Sequence, residues 1–395
     1  MKNALRTLTM ANTKLSRWLS ILMAAAVGIG LETIPLTALA DDSTFLSYDF
    51  TQGKTRPPAQ EWAPHHKQSK TSIEWWYMTS VVHDSAGNQY LLYSALNKLS
   101  GDAFNAILPP GTPAPTPTQS IQQVQLELSD YTNKYKVSAS NHPFVATDSS
   151  IWNATTGTLS YNHPTVQTSW KYDGSNLKVI GTSSNLSFNF SLTNGNQVEW
   201  NQDNLNIPGV IQQGPSPQMS FYYSLPKTNL TGTIKYTNKA GVVKTLTVAG
   251  QAWIDRQWGD FASSPNEWGS FRFDNGARLN LYNFDGHQMG AYLKTDGTLQ
   301  YFDGFVVKQN GYARFKDTFF SWGWSYELPI IVEGSQKFTV NPYSSKDAND
   351  SAGVVFYEGA GDLINDVTGV KVGVSVNEAS DIRGLENGPY QRNQH

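Results

Sequence analysis

The stretch Gln122-Gln123-Val124-Gln125-Leu126-Glu127-Leu128 alternates polar and apolar residues from Gln123 onward. Successive side chains of an extended chain point to opposite faces, so the pattern predicts a strand with one apolar and one polar face. The same period recurs at 177–180, at Leu186-Ser187-Phe188-Asn189-Phe190 and at Leu279-Asn280-Leu281-Tyr282. Between such runs stand Gly87-Asn88, Asp173-Gly174, Asn194-Gly195, Asn275-Gly276, Asp285-Gly286 and Asp296-Gly297. These pairs suit the tight turns of antiparallel hairpins. No long amphipathic helical period follows the first forty residues, so the chain reads as all-β. Strands of this kind hide their edges by closing into barrels or pairing as sandwiches. The proline-rich run from Pro109 to Pro117 lacks ladder donors and is expected as an exposed loop. A length of 395 residues allows two domains. The boundary is expected at Gly214-Pro215-Ser216-Pro217, giving an N-terminal domain over 41–218 and a C-terminal domain over 219–395.

Composition narrows the function. With 12 Trp, 19 Tyr and 18 Phe the chain can bury a substantial core and is not disordered. Lys and Arg total 29 against 32 for Asp and Glu, without a basic block, which argues against a nucleic-acid partner. The absence of cysteine excludes disulfides, thiolate catalysis and cysteine-ligated metals.

The N-terminus reads as an address. Lys2, Arg6, Lys14 and Arg17 precede an apolar run from Trp18 to Leu31, and the segment closes on Ala38-Leu39-Ala40. That order matches a cleaved export signal over 1–40, and the run is short for a membrane span. A secreted or periplasmic protein without stable membrane insertion is expected, its oligomeric state left open.

Chemistry-bearing side chains gather in two places. One is Glu74-Trp75-Trp76-Tyr77, preceded by His65-His66; the other is Trp253-Ile254-Asp255-Arg256-Gln257-Trp258-Gly259, with Trp268 shortly after. Adjacent histidines on an extended chain point apart, so His65-His66 is a poor metal chelate and is expected in a solvated loop. On strands, Glu74 and Trp76 share one face and Trp75 and Tyr77 the other; Trp253, Asp255 and Gln257 lie opposite Ile254, Arg256 and Trp258. A carboxylate beside indoles loses solvation, which raises its pKa and suits it to general acid work. The alternative is structural, with Asp255 as an ion-pair partner of Arg256 or a turn cap.

The same residues carry a family resemblance. Glu74-Trp75-Trp76-Tyr77, Phe221-Tyr222-Tyr223-Ser224, the Trp253–Gly259 run and Trp268-Gly269-Ser270-Phe271 resemble the hydroxyneurosporene synthase/AttH-like family. Further matches are Asp274, Gly276, the stretch from Trp324 to Pro329, Tyr357-Glu358-Gly359 and Val376-Asn377-Glu378. The family includes acyclic carotenoid hydratases, a secreted kievitone hydratase and fungal pericyclases. The resemblance implies two lipocalin-like antiparallel β-barrels packed together and a cofactor-independent hydratase acting on an alkene of a hydrophobic, isoprenoid-type small molecule. In that reading Asp255 is the acid, Glu74 or Tyr77 orients water, and Trp75, Trp76, Trp253, Trp258 and Trp268 bind substrate. No cofactor or metal is expected. The export signal moves the expected substrate away from carotenoids toward another lipophile. A non-catalytic lipophile carrier and a cyclase or pericyclase on a polyketide-like substrate are the rival readings.

Overall fold

The computed structural model describes residues 50–380, except 51–52, 54–55, 66–70, 101–104, 106–107, 109, 142, 214–217, 262–265, 285, 316–317 and 352–353. The expected signal segment therefore lies outside the described residues. Among those described there is no α-helix, and every paired strand is antiparallel to its neighbour. Strands from Ile73 to Asp260 build one fourteen-stranded sheet, and strands from Asn266 to Ser380 build a ten-stranded second sheet. Both curl. In the first, Gln119–Asp130 comes round against Val166–Tyr172 and Leu186–Thr193. The result is the expected pair of lipocalin-like antiparallel barrels.

The change of sheet falls between Asp260 and Asn266 rather than at 218/219. Met219–Thr237 was expected to open the second domain, but it pairs with Val243–Asp260 along almost its whole length, and with Leu186–Thr193. Val243–Asp260 in turn pairs with Ile73–Asp84, which locks this long hairpin into the first sheet. Its register shifts between Leu225 and Thr228, where Pro226 supplies no ladder donor. Gly250 permits a close approach of this hairpin to Ile73–Asp84: a Cβ there would meet the Val81 carbonyl oxygen at 2.2 Å.

Alternation serves three cores rather than two. Trp76, Met78 and Val82 point into the first barrel with Ile254 and Trp258. Tyr77 and Val81, one residue out of phase, point the other way and meet Trp268, Tyr282 and Val376 of the second sheet. Phe271, Leu279, Leu281 and Tyr357 fill the second barrel. The central strands are thus buried on both faces, as in Ile73–Asp84, where all but the last two residues are buried or nearly so. Gln123, Gln125 and Glu127, the polar side of the diagnostic stretch, are consequently buried as well. The described part of the proline-rich segment, Pro110 to Pro117, is a mostly exposed connection without strand.

Candidate active site between the two sheets

Register assembles the site from distant segments. Glu199 lies opposite Ser224, Ser224 opposite Asp255, and Asp255 opposite Tyr77, so four strands bring these side chains into one row. Facing them, Glu358 lies opposite Glu378 and Glu378 opposite Trp268 on the second sheet.

Asp255 is the centre of this arrangement. Its Oδ1 accepts from Ser224 Oγ at 2.6 Å and from Trp253 Nε1 at 2.7 Å, and its Oδ2 accepts from Tyr222 Oη at 2.9 Å. The Tyr222 hydroxyl accepts in turn from Trp268 Nε1 at 3.0 Å and Asn280 Nδ2 at 3.1 Å, both from the second sheet. A carboxyl group has about four acceptor positions, and three are taken. The fourth, on Oδ2, is where a proton can sit. Burial pushes the Asp255 carboxyl up to about 7 from its ordinary 3.8, against the pull of the three hydrogen bonds. Glu199, fully buried, is pushed well above the carboxylate range by burial first and by the charge of Asp255 second.

Tyr77 belongs to the same face. Its hydroxyl donates to Glu358 Oε1, and its ring meets Trp268 edge-on at 5.6 Å between centroids. Burial, then the neighbouring Glu378, raise Glu358 well above the usual range, and burial raises Glu378 too. The arrangement therefore offers an acid that holds its proton up to about pH 7, a tyrosine–carboxyl pair and several aromatic rings, all buried between the two sheets.

Of the eight residues singled out from the sequence, Asp255, Tyr77, Trp253 and Trp268 come together here. Trp75 shares the face from a half-buried position and meets Phe261 edge-on. Glu74, Trp76 and Trp258 do not join them, because strand alternation turns them into the first barrel. There the Arg256 guanidinium contacts Glu74 Oε1 and lies 3.9 Å from the Trp76 ring centroid and 4.8 Å from that of Trp258. Asp255 and Arg256 consequently form no ion pair with each other. His65 is not solvated: it is fully buried, stacked on Trp258 at 4.3 Å, with ring nitrogens 2.9 Å from Glu74 Oε1 and Glu61 Oε2. His66 lies outside the described residues. Burial works against the Glu74 charge, but Arg256, Lys98 and the His65 hydrogen bond outweigh it and lower Glu74 to about 2. Among the described residues no group of three or more His, Asp or Glu side chains is arranged to hold a metal.

Residues that sequence reasoning did not assign to the site include Glu199, Asn280, Arg272, Glu358 and Glu378. Tyr222, Glu358 and Glu378 stood in the matched motifs without a role. Glu199 and Arg272 carried no local signal.

The raised carboxyls set a pH dependence of stability. Asp255 is held at about 7, Glu127 at about 7 and Asp347 at about 6, each raised chiefly by burial. A raised folded-state pKa adds stability that is complete below the ordinary value and lost as pH rises through the raised one. Glu74 works oppositely, its contribution being lost as pH falls from 4.5 toward 2. The melting temperature is thus expected to peak near pH 4 and to fall between about pH 4 and 7, by several kcal/mol of stability. Calorimetry across this range checks it; a flat or rising profile would contradict the assignment.

Comparison with known proteins adds two findings. A family model described as AttH-like matches residues 55–371. Among solved structures, a protein described as AttH from Nitrosomonas europaea superposes with a TM-score of 0.62 at 19% identity, covering 85% of this chain and 97% of that one. Kievitone hydratase from Nectria haematococca gives 0.56 at 14% identity, covering 78% and 88%. At these identities the likeness is one of fold. No curated protein matches the chain.

Proposed function

The chain belongs to the AttH-like family, and from that premise we propose that it is a hydratase-type enzyme adding water to an alkene of a hydrophobic, isoprenoid-type small molecule. The observation that carries the reading is Asp255, a buried carboxyl raised to about 7 among aromatic rings with one acceptor position free. The fold shared with kievitone hydratase supports it.

In this mechanism the proton on Asp255 Oδ2 passes to the less substituted alkene carbon, leaving a cation on the more substituted one. The carboxylate so formed is stabilised by the hydrogen bonds from Ser224, Trp253 and Tyr222. The faces of Trp253, Trp268 and Tyr77 stabilise the cation by cation–π attraction until water adds. Tyr77, hydrogen-bonded to Glu358, orients that water, and the proton it sheds returns to Asp255. Atoms balance as alkene plus water to alcohol, and acid and base both come from the chain. Export through the segment 1–40 belongs to the same proposal and places the activity outside the cytosol.

The test is incubation of the purified protein with prenylated and isoprenoid lipophiles, followed by mass spectrometry in ordinary and in ¹⁸O-labelled water. A product heavier by one water, carrying the label, is expected. Tight binding without any change of mass would instead identify a carrier, and an isomer of unchanged mass a cyclase.

A further inference from the structure

Among the described residues, Arg272 is a buried cation that combines an orphaned Nε with the lack of a carboxylate partner. It lies on Asn266–Phe273 together with Trp268 and Ser270, on the face turned to the first sheet, and is only 4% exposed. Its Nη1 donates to Ser270 Oγ at 3.2 Å and its Nη2 to the Thr79 carbonyl at 3.3 Å, both long. Its Nε has no acceptor among the described residues. Nor does any described carboxylate reach ion-pair distance of it, whereas Arg256 contacts Glu74 directly. The Arg256 Nε also lacks an acceptor, but that guanidinium has its counter-charge. Arg278 has no carboxylate at ion-pair distance, yet its Nε, Nη1 and Nη2 all donate, to the carbonyls of Pro226, Phe273 and Ala277 and to Gln251 Oε1.

A buried guanidinium without a counter-charge is costly, and such charges are ordinarily paired. The acids around it do not supply the partner. Asp255 and Glu358 act on Arg272 only from a distance, and burial keeps both carboxyls substantially protonated near neutral pH. Burial lowers Arg272 itself to about 9, so it still carries its proton at neutrality. The unmatched charge also borders the acid. The guanidinium carbon is 5.9 Å from the centroid of the Trp253 ring, and that same indole donates to Asp255.

We propose that Arg272 anchors an anionic head group, so that the ligand of the inter-sheet site is a lipophile bearing a carboxylate, held by the free Nε–H and a neighbouring Nη–H. Planar, parallel donors of this kind match a carboxylate in bidentate fashion. The inference rests on the inter-sheet space being the ligand site and deepens the proposed function by naming the substrate class, a hydrophobic acid rather than a bare hydrocarbon. The indole of Trp253 then separates the anchored end from the carbon that Asp255 protonates.

Binding of farnesoic acid and of its methyl ester, followed by titration calorimetry at neutral pH, tests it. The two probes share a chain and differ in the charge and in one methyl group, which by its apolar surface favours the ester and so works against the expected preference. The wild-type protein is expected to bind the acid about tenfold or more tightly than the ester. Arg272→Gln should remove that preference and leave the ester affinity unchanged, while Arg272→Lys keeps part of it by charge without the fork. Equal affinities in the wild type, no binding of the acid, or a preference surviving in Arg272→Gln would overturn the proposal. Should the glutamine variant not fold, the wild-type pair and the lysine variant still decide. Asp255→Asn separates this from the catalytic reading, since it should abolish hydration and keep the acid preference. A preserved preference with no hydration by the wild type sinks the hydratase alone.

Discussion

Asp255→Asn lowers turnover by about 10²-fold or more, the scale of general acid catalysis, in a protein that remains folded. The amide keeps an oxygen for Ser224 and Trp253 but has no proton to deliver. Its nitrogen faces the Tyr222 hydroxyl, whose acceptor positions are already filled by Trp268 and Asn280. One hydrogen bond is therefore lost, at a cost of about 1–2 kcal/mol. Ser224→Ala is the control: it removes a hydrogen bond from the same carboxyl, together with the one that Ser224 Oγ accepts from Asn201 Nδ2, and leaves the acid in place. A similar loss of melting temperature is expected there, with only a few-fold loss of turnover. Because the protonated form reacts, wild-type turnover should be level in mild acid and fall as pH rises through about 7. Unchanged turnover in the asparagine variant would take Asp255 out of the mechanism.

Glu74→Gln produces the largest expected loss of stability, about 3–5 kcal/mol, which in a chain of this size lowers the melting temperature by about 4–7 °C. Glu74 is fully buried; its oxygens meet Arg256, the His65 ring and backbone, and Lys98 Nζ at 3.5 Å. Neutralising it leaves Arg256 without its counter-charge and Lys98 with Asp148 alone, 3.6 Å away. By contrast Lys337 and Glu327, 3.2 Å apart and both more than half exposed, form a pair whose removal should cost less than about 1 kcal/mol. Glu74 faces the interior of the first barrel, so turnover per folded molecule in the variant should stay within a few-fold of wild type. A melting temperature equal to wild type would show that the network is not structural. A turnover collapse without destabilisation would return Glu74 to the chemistry.

Much of the fold is legible in local pattern. Leu186 to Phe190 and Val166 to Tyr172 alternate in sequence and in burial, because outer strands of the curled sheet have one wet face. The turn signals at Asp173-Gly174 and Asn275-Gly276 sit between paired strands, with both glycines at positive φ. The boundary at 218/219 misread a proline-rich break as a change of domain. A turn residue marks the end of a strand, and which sheet the next strand joins depends on partners far along the chain.

The candidate site divides in the same way. Period two suffices to put Trp253 with Asp255, Trp75 with Tyr77, and Arg256 with Trp258, and so to separate Asp255 from Arg256. It cannot say which face meets the second sheet, since both faces of the central strands are buried and both carry aromatics and charge. That was decided by packing across long separations: Tyr77 meets Glu358 281 residues away, and Arg256 meets Glu74 182 residues away. The sequence by itself determined an all-β chain and which neighbours share a face, because those follow from the geometry of a single extended backbone. The tertiary structure alone decided that Glu74 lies in a barrel core, that Asp255 is desolvated between the sheets, and that Arg272 stands near it without a counter-charge. Burial and electrostatics belong to the space between strands, and that space exists only once the two sheets have closed on each other.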